Sequence, residues 1–329
     1  MRQTKKAKTV SRILFSLLAF AFAGTAPSLA QSYPDHPVRL VVPFAPSGPN
    51  DYLGRLIGDK LGALWNQSVV IDNRGGGATV IGTDVAAKSP ADGYTLVMVS
   101  TSTAVNPALR KRLPYNTLKD FVPVVELATS AGILVVHPDS PFKTVADILK
   151  DAKAHPGALT YGSGGIGTAT HLSGELLSIM GGVKMTHIPY RGAGPAMVDM
   201  LANRISMTFG AVQPTLNYVQ AGKLRAVAVS SLKREPWLPD VPTIAETLPG
   251  FEAVGFWGIF APAGTPPQIV AKINADVNRV LADPEVQKQL AKQGFEPVGG
   301  SSEAFGKHFK AEMDKWGGVI AQAGIKKVD

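Results

Sequence analysis

The strongest constraint on this chain's fold is a regular alternation of short β-rich runs with longer runs whose apolar residues fall at helical spacing. Residues 38–44 (VRLVVPF) are β-rich, and 51–64 follow with Leu53, Leu56, Ile57, Leu61 and Leu64 on one helical face. A strand over 68–71, a Gly75-Gly76-Gly77 turn, a helix over 80–87 and a buried-type strand over 95–100 (TLVMVS) continue the pattern. Such alternation implies βα units on a parallel sheet.

The first series ends near 122–126, and a second opens at 132–137 (GILVVH). Its strands are expected over 159–162, 185–190, 205–209 and 224–230, and its helices over 145–154, 169–180, 193–202 and 214–221. Residues 251–260 (FEAVGFWGIF) read as a long extended segment. Beyond it Thr265 is expected to cap a helix with Pro266 at its first position and Ile269, Val270, Ile273, Val277, Val280 and Leu281 on one face. Asp283-Pro284 restarts a helix that stops at Gly294. Phe305, Phe309, Met313, Trp316 and Ile320 mark a third, which has no strand pattern beside it and is expected to pack back on the first region. The chain thus reads as two α/β lobes crossed near residues 128 and 253: one of 31–128 plus 254–329, the other of 129–253.

The first thirty residues read as a leader. Arg2, Lys5, Lys6, Lys8 and Arg12 precede an apolar run over 13–23 that is too short to span a bilayer, and Ser28-Leu29-Ala30 offers a cleavage site. We therefore expect a signal peptide cleaved near Ala30. Removing its five charges from the formal +8 leaves about +3, mixed in sign and without a Lys/Arg cluster, which argues against a nucleic-acid partner. The full chain is 45% apolar and contains no cysteine, and the part after the leader is long and apolar enough to bury a substantial core without disulfides. Lacking a cysteine, it has no site for a lipid anchor after the leader. The expected location is the periplasm of a diderm bacterium.

Ligands of open α/β sheets bind beyond the carboxyl ends of strands, where helices begin. Four such turns stand out. The first, 43–51, offers Phe44, Ser47, Gly48 and Asp51. The second, 100–103, offers Thr101 and Ser102. The third, 161–171 (YGSGGIGTATH), offers Ser163, Gly165, Gly167, Thr168 and His171. The fourth, 189–195, offers Tyr190, Arg191 and Gly192. Each places backbone N–H groups and the positive end of a helix dipole at one spot, an anion site that needs no formal cation. Any one of them is better explained as an ordinary tight connection; four in corresponding places point jointly to anion binding. His171 either donates to a bound anion from a neutral imidazole or simply packs. Arg191 either pairs with a carboxylate or sits solvated at the rim. Trp257 is expected to be a packed interlobe aromatic, and Asp51 a helix cap rather than an acid catalyst.

Within the third turn Gly162, Gly164 and Gly167 match G-x-G-x-x-G, but the next strand ends at Tyr190-Arg191 with no carboxylate for a ribose. An exported chain also meets no pool of dinucleotide, so no cofactor is expected. Six histidines scattered along the sequence suggest no metal site. Ser163 and His171 can be drawn as nucleophile and base, which leaves an exported serine hydrolase as the rival reading. However, His171 falls in the first turn of a helix, where the dipole disfavours its protonated form.

Several segments carry a family resemblance: YPDHPVRLVVPFAPSGPND (33–51), VVIDNRGGGATVIG (69–82), SPADGYTL (89–96), LPYNTLKDFVPV (113–124), PGALTYGSGGIGTATHLSGELL (156–177), HIPYRGAGPAMVDML (187–201), GKLRAVAVSS (222–231), DVPTIAE (240–246) and FWGIFAPAGTP (256–266). In this order the chain resembles the substrate-binding proteins of tripartite tricarboxylate transporters, the Bug family. The resemblance implies a two-lobe periplasmic binding protein of type II-like, Venus flytrap form with two crossing hinge strands. It implies capture of a small organic acid (mono-, di- or tricarboxylate, aromatic acids included) for a membrane permease, or for a sensor protein, with a monomer as the expected state. The family's first loop commonly reads Pro-Gly-Gly or Ala-Gly-Gly. Here it is Pro46-Ser47-Gly48, which adds a hydroxyl and removes backbone freedom.

Overall fold

A computed structural model describes residues 33–46 and 48–329, so the leader and Ser47 lie outside the described residues. The elements below all belong to one compact unit, His36–Asp329; Tyr33–Asp35 fall in another. Two mixed sheets organise the unit.

The first sheet contains β1 (Val38–Val42), β2 (Val69–Asn73), β3 (Thr95–Ser100), β4 (Phe121–Ser130), β10 (Gly255–Pro262) and β11 (Glu296–Gly299). Its order is β11-β4-β10-β3-β1-β2, with β1 parallel to β2 and β3. Every residue of β3 is buried, as expected of a strand covered on both faces. Helices α1 (Pro49–Trp65), α2 (Val80–Ala87) and α3 (Thr101–Leu109) belong to this half, as do α8 (Pro267–Leu281), α9 (Pro284–Lys292) and α10 (Ser302–Gln322).

The second sheet contains β5 (Gly132–Val136), β6 (Thr160–Ser163), β7 (Thr186–Pro189), β8 (Met207–Ala211) and β9 (Arg225–Val229), in the order β7-β6-β8-β5-β9. Its helices are α4 (Val145–Ala154), α5 (Ala169–Gly181), α6 (Ala193–Leu201) and α7 (Val212–Gln220).

The chain leaves the first sheet at the end of β4, enters the second one residue later at β5, and returns through β10. These strands account for the sheets being mixed where the sequence suggested parallel ones. β10 runs antiparallel to both β3 and β4, and β5 runs antiparallel to both β8 and β9. Ser230, fully buried, clasps the two crossings together. Its hydroxyl accepts from the Gly132 N–H (2.7 Å) and donates to the Ala253 carbonyl (2.7 Å).

Three expectations need correction. β11 is a strand in the C-terminal part, paired antiparallel with β4, although its four residues carry no β pattern. Thr265 does not cap α8: its hydroxyl donates to the Pro262 carbonyl, Pro266 is the N-cap and Pro267 opens the helix. The four hydroxyls after β3 form no separate turn, because α3 begins at Thr101.

The cores explain how the halves meet. Phe121, Phe256, Phe260, Phe305 and Phe309 form an aromatic cluster on the first sheet. A second cluster joins Val105 and Leu109 of α3 and Trp316, Val319 and Ile320 of α10 to Leu134, Val136, Tyr161 and Leu172 of the second half. The last helix therefore packs back on the first region as expected, and also seals it against the second.

Candidate functional site

Because β1 and β3 are parallel neighbours, the starts of α1 and α3 lie side by side at one end of the first sheet. The N-cap of α1 is Gly48, which has no side chain to satisfy the first-turn amides. Neither Asn50 nor Asp51 replaces it. The Asn50 Oδ1 accepts from Trp257 Nε1 (2.9 Å), and Trp257 also meets Phe295 edge-on. Both of those contacts lie in the first half, so Trp257 packs there and not between the halves through them. Asp51 sits in the first turn, where its charge suits the dipole, and pairs with Arg55 four residues on (3.0 Å). It is not the cap the sequence suggested. Phe44 is half-buried at the loop's start. Thr101 is buried and accepts from the Phe256 N–H (3.4 Å), whereas Ser102 is partly exposed.

The second sheet repeats the arrangement with β6 and β7. Their exit turns are stitched together by Tyr190 N–H to the Ser163 carbonyl (3.0 Å) and Gly192 N–H to the Gly164 carbonyl (3.2 Å). Thr168 caps α5: its hydroxyl accepts from the His171 N–H (3.4 Å) and donates to the Gly165 carbonyl (2.7 Å). Gly192 caps α6 without a side chain. Arg191 is exposed and forms no ion pair among the described residues. The Tyr190 hydroxyl is committed to Asp199 (2.7 Å); burial and that carboxylate push it up to about 12.

Beneath the third turn lies a buried polar cluster. Ser163, 1% exposed, does not pair with His171. Its Oγ lies 2.6 Å from His187 Nε2, and it accepts from the Gly165 N–H (3.1 Å). His187 stacks on His171 with ring centroids 3.9 Å apart. The His171 Nδ1 accepts from the Gly167 N–H (3.2 Å), which places its ring proton on Nε2, 3.4 Å from Glu175. Tyr161 donates to the same carboxylate (2.6 Å). Burial opposes the Glu175 charge, yet hydrogen bonds from His171 and Tyr161 hold its carboxyl below the usual range. Burial pushes the Tyr161 phenol up, and the Glu175 carboxylate adds to it. Burial, reinforced by His171, lowers His187 to about 4. Held between a neutral His187 and the Gly165 backbone, the Ser163 hydroxyl is fixed and hidden from solvent. The cluster stiffens the turn and has no accessible nucleophile.

This cluster carries a pH prediction. Protonating His187 costs the folded state, whereas in the unfolded chain it titrates near 6.5. Its stabilising contribution is complete above that pH and is lost as pH falls from 6.5 through 4. After discounting for partial exposure, wild type should lose about 1–2 kcal/mol more than His187→Gln between neutral pH and the low end of that window. Urea unfolding at several pH values measures the difference; parallel curves for the two proteins would exclude it.

His187, Glu175, Tyr161 and Ser230 were not singled out from the sequence. Histidines scattered along the chain meet here because β6 and β7 pair in a register that sets Tyr161 beside His187. No group of ligands able to hold a metal occurs among the described residues.

Residues 53–325 match the family described as the tripartite tricarboxylate transporter family receptor. The chain belongs to that family. BugT of Bordetella pertussis is 35% identical over 92% of this chain and 93% of its own length. Among solved structures, R. palustris Rpa4515 with adipate is 36% identical with a TM-score of 0.81, over 90% of this chain and all of the other. MatC from Rhodopseudomonas palustris with bound malate is 30% identical with a TM-score of 0.76, over 88% of this chain and all of the other. As a receptor of this family the chain is a periplasmic binding protein with two α/β lobes, not an enzyme. The hydrolase reading finds no support in these relatives, and the geometry removes its proposed Ser163–His171 pair.

Proposed function

We propose that the receptor captures a small carboxylate-bearing organic acid between the paired turns of its two sheets, for delivery to the membrane permease of a tripartite tricarboxylate transporter. The observation that carries this reading is the repeated geometry. Two parallel neighbours in each sheet end in helix starts, and the caps Gly48 and Gly192 leave first-turn amides open to a ligand. Adipate and malate in the two related structures are carboxylates, which is the chemistry such amides favour.

In this reading Phe44, Ser47, Gly48, Asp51, Thr101 and Ser102 form one wall, with lobe one as 31–128 plus 254–329. Ser163, Gly165, Gly167, Thr168, His171, Tyr190, Arg191 and Gly192 form the other, on lobe two (129–253). Ser163, Thr168 and His171 shape their turn, while Gly165, Arg191 and Gly192 meet the ligand. The lobes close on the acid as a monomer, after export and cleavage near Ala30. A thermal-shift panel of mono-, di- and tricarboxylates, amino acids and aromatic acids tests the proposal. Stabilisation by one chemical group of acids is expected; no stabilisation by any acid at millimolar concentration would sink it.

A further inference from the structure

A cavity of about 860 Å³ lies beside the two crossings and shares no residue with the carboxylate site proposed above. That volume is within the range of about 300–1,000 Å³ typical of small-molecule sites. Both crossing segments contribute to its wall, through Thr129, Ser130 and Ala131 on one side and Glu252 and Val254 on the other. The loop after β9, the start of β11 and one face of α10 complete it.

Its charges are unevenly matched. Arg234 is held by Glu246 through two bonds of 2.8 Å, Lys315 lies 2.9 Å from Glu312, and His308 lies 2.8 Å from Glu126. Three carboxylates remain, on Glu235, Glu252 and Glu296. None forms an ion pair among the described residues; Glu235 and Glu252 are half-buried, while Glu296 and the sole other lining cation, Lys233, are exposed. Burial raises the Glu235 carboxyl and the charge of Glu296 adds to it, although hydrogen bonds from Ser231 and Trp237 oppose the shift; a cation would favour the charged form further. Trp237 and the buried Phe295 offer aromatic faces, and Pro236, Val254 and Pro297 add apolar wall.

We propose that this cavity is a second binding site, for an amine-bearing organic cation with an apolar body, recognised by Glu235, Glu252 and Glu296 and by the aromatic wall. Its position against the segments clasped by Ser230 means that an occupant touches both crossings at once.

Calorimetric titration of the mature protein with 2-phenylethylamine, and with 2-phenylethanol as its neutral counterpart, tests this. Saturable amine binding is expected, with the alcohol at least about tenfold weaker. The double variant Glu235→Gln/Glu296→Gln should weaken the amine by a similar factor, and Arg191→Ala, in the carboxylate site, should leave it unchanged. That last arm separates failure of this proposal from failure of the carboxylate reading. No saturation by about 10 mM, equal binding of the alcohol, or loss of amine binding in Arg191→Ala would overturn it. Should the double variant unfold early, the amine–alcohol comparison on the native chain decides.

Discussion

Replacing Gly167 with alanine is expected to cost about 2–4 kcal/mol of stability and to weaken acid binding at least about tenfold. Two effects add. Gly167 has φ +79, which an L side chain adopts only under strain. Its new Cβ would also overlap Leu109 Cδ2 and touch Val105, both buried in the core between the halves. The turn must then move away from α3, taking the Gly167 N–H off His171 Nδ1 and loosening the cluster that fixes Ser163. Gly194→Ala is the control. It lies inside α6 with open space around its Cα, so stability should hold or rise slightly. Urea unfolding and calorimetric titration of both variants measure the contrast. Equal stability for Gly167→Ala and wild type would show that the turn is not held against α3.

The second large effect is expected at Trp316. It is 1% exposed, sits in the cluster shared by α3, α10 and the second half, and donates to Glu312 Oε2 (2.6 Å). Trp316→Ala removes the ring and a donor to a buried carboxylate, for a loss of about 3–5 kcal/mol. That is a large part of the roughly 5–15 kcal/mol expected of a whole protein. Trp316→Phe keeps most of the packing and should cost about 1–3 kcal/mol. Near-equal losses for the two variants would place the effect in the hydrogen bond, not the packing. A loss below about 1 kcal/mol for Trp316→Ala would show that the shared core contributes little.

Most of the α/β pattern was legible because each element carries its own periodicity. The bounds of α2, α4 and β3 match the expected ones, and α1 extends only slightly beyond them. What escaped was non-local. β11 is a strand because β4 offers it an edge, and EPVG has no β pattern to announce that. The antiparallel strands follow from the path of the crossings, which local spacing does not encode. At the site, the turns were found by their glycines and hydroxyls, but their roles were not. Ser163 looked like a partner for His171, eight residues away. Its actual partner, His187, lies on the neighbouring strand and is brought close by pairing register. Asp51 looked like a cap because acidic residues are common there, whereas Gly48 holds that position and Asp51 pairs with Arg55. Ser230 was invisible for the same reason: its two partners, at residues 132 and 253, come together only when the chain crosses twice.

The central claim is that open helix-start amides hold ligand carboxylates between the two sheets. Calorimetric titration with the acid that stabilises the protein most, and with its methyl ester, tests it most directly. The acid is expected to bind at one site per chain, and the ester, which keeps the carbon skeleton but lacks the charge, at least about tenfold more weakly. Equal binding of acid and ester would contradict the account.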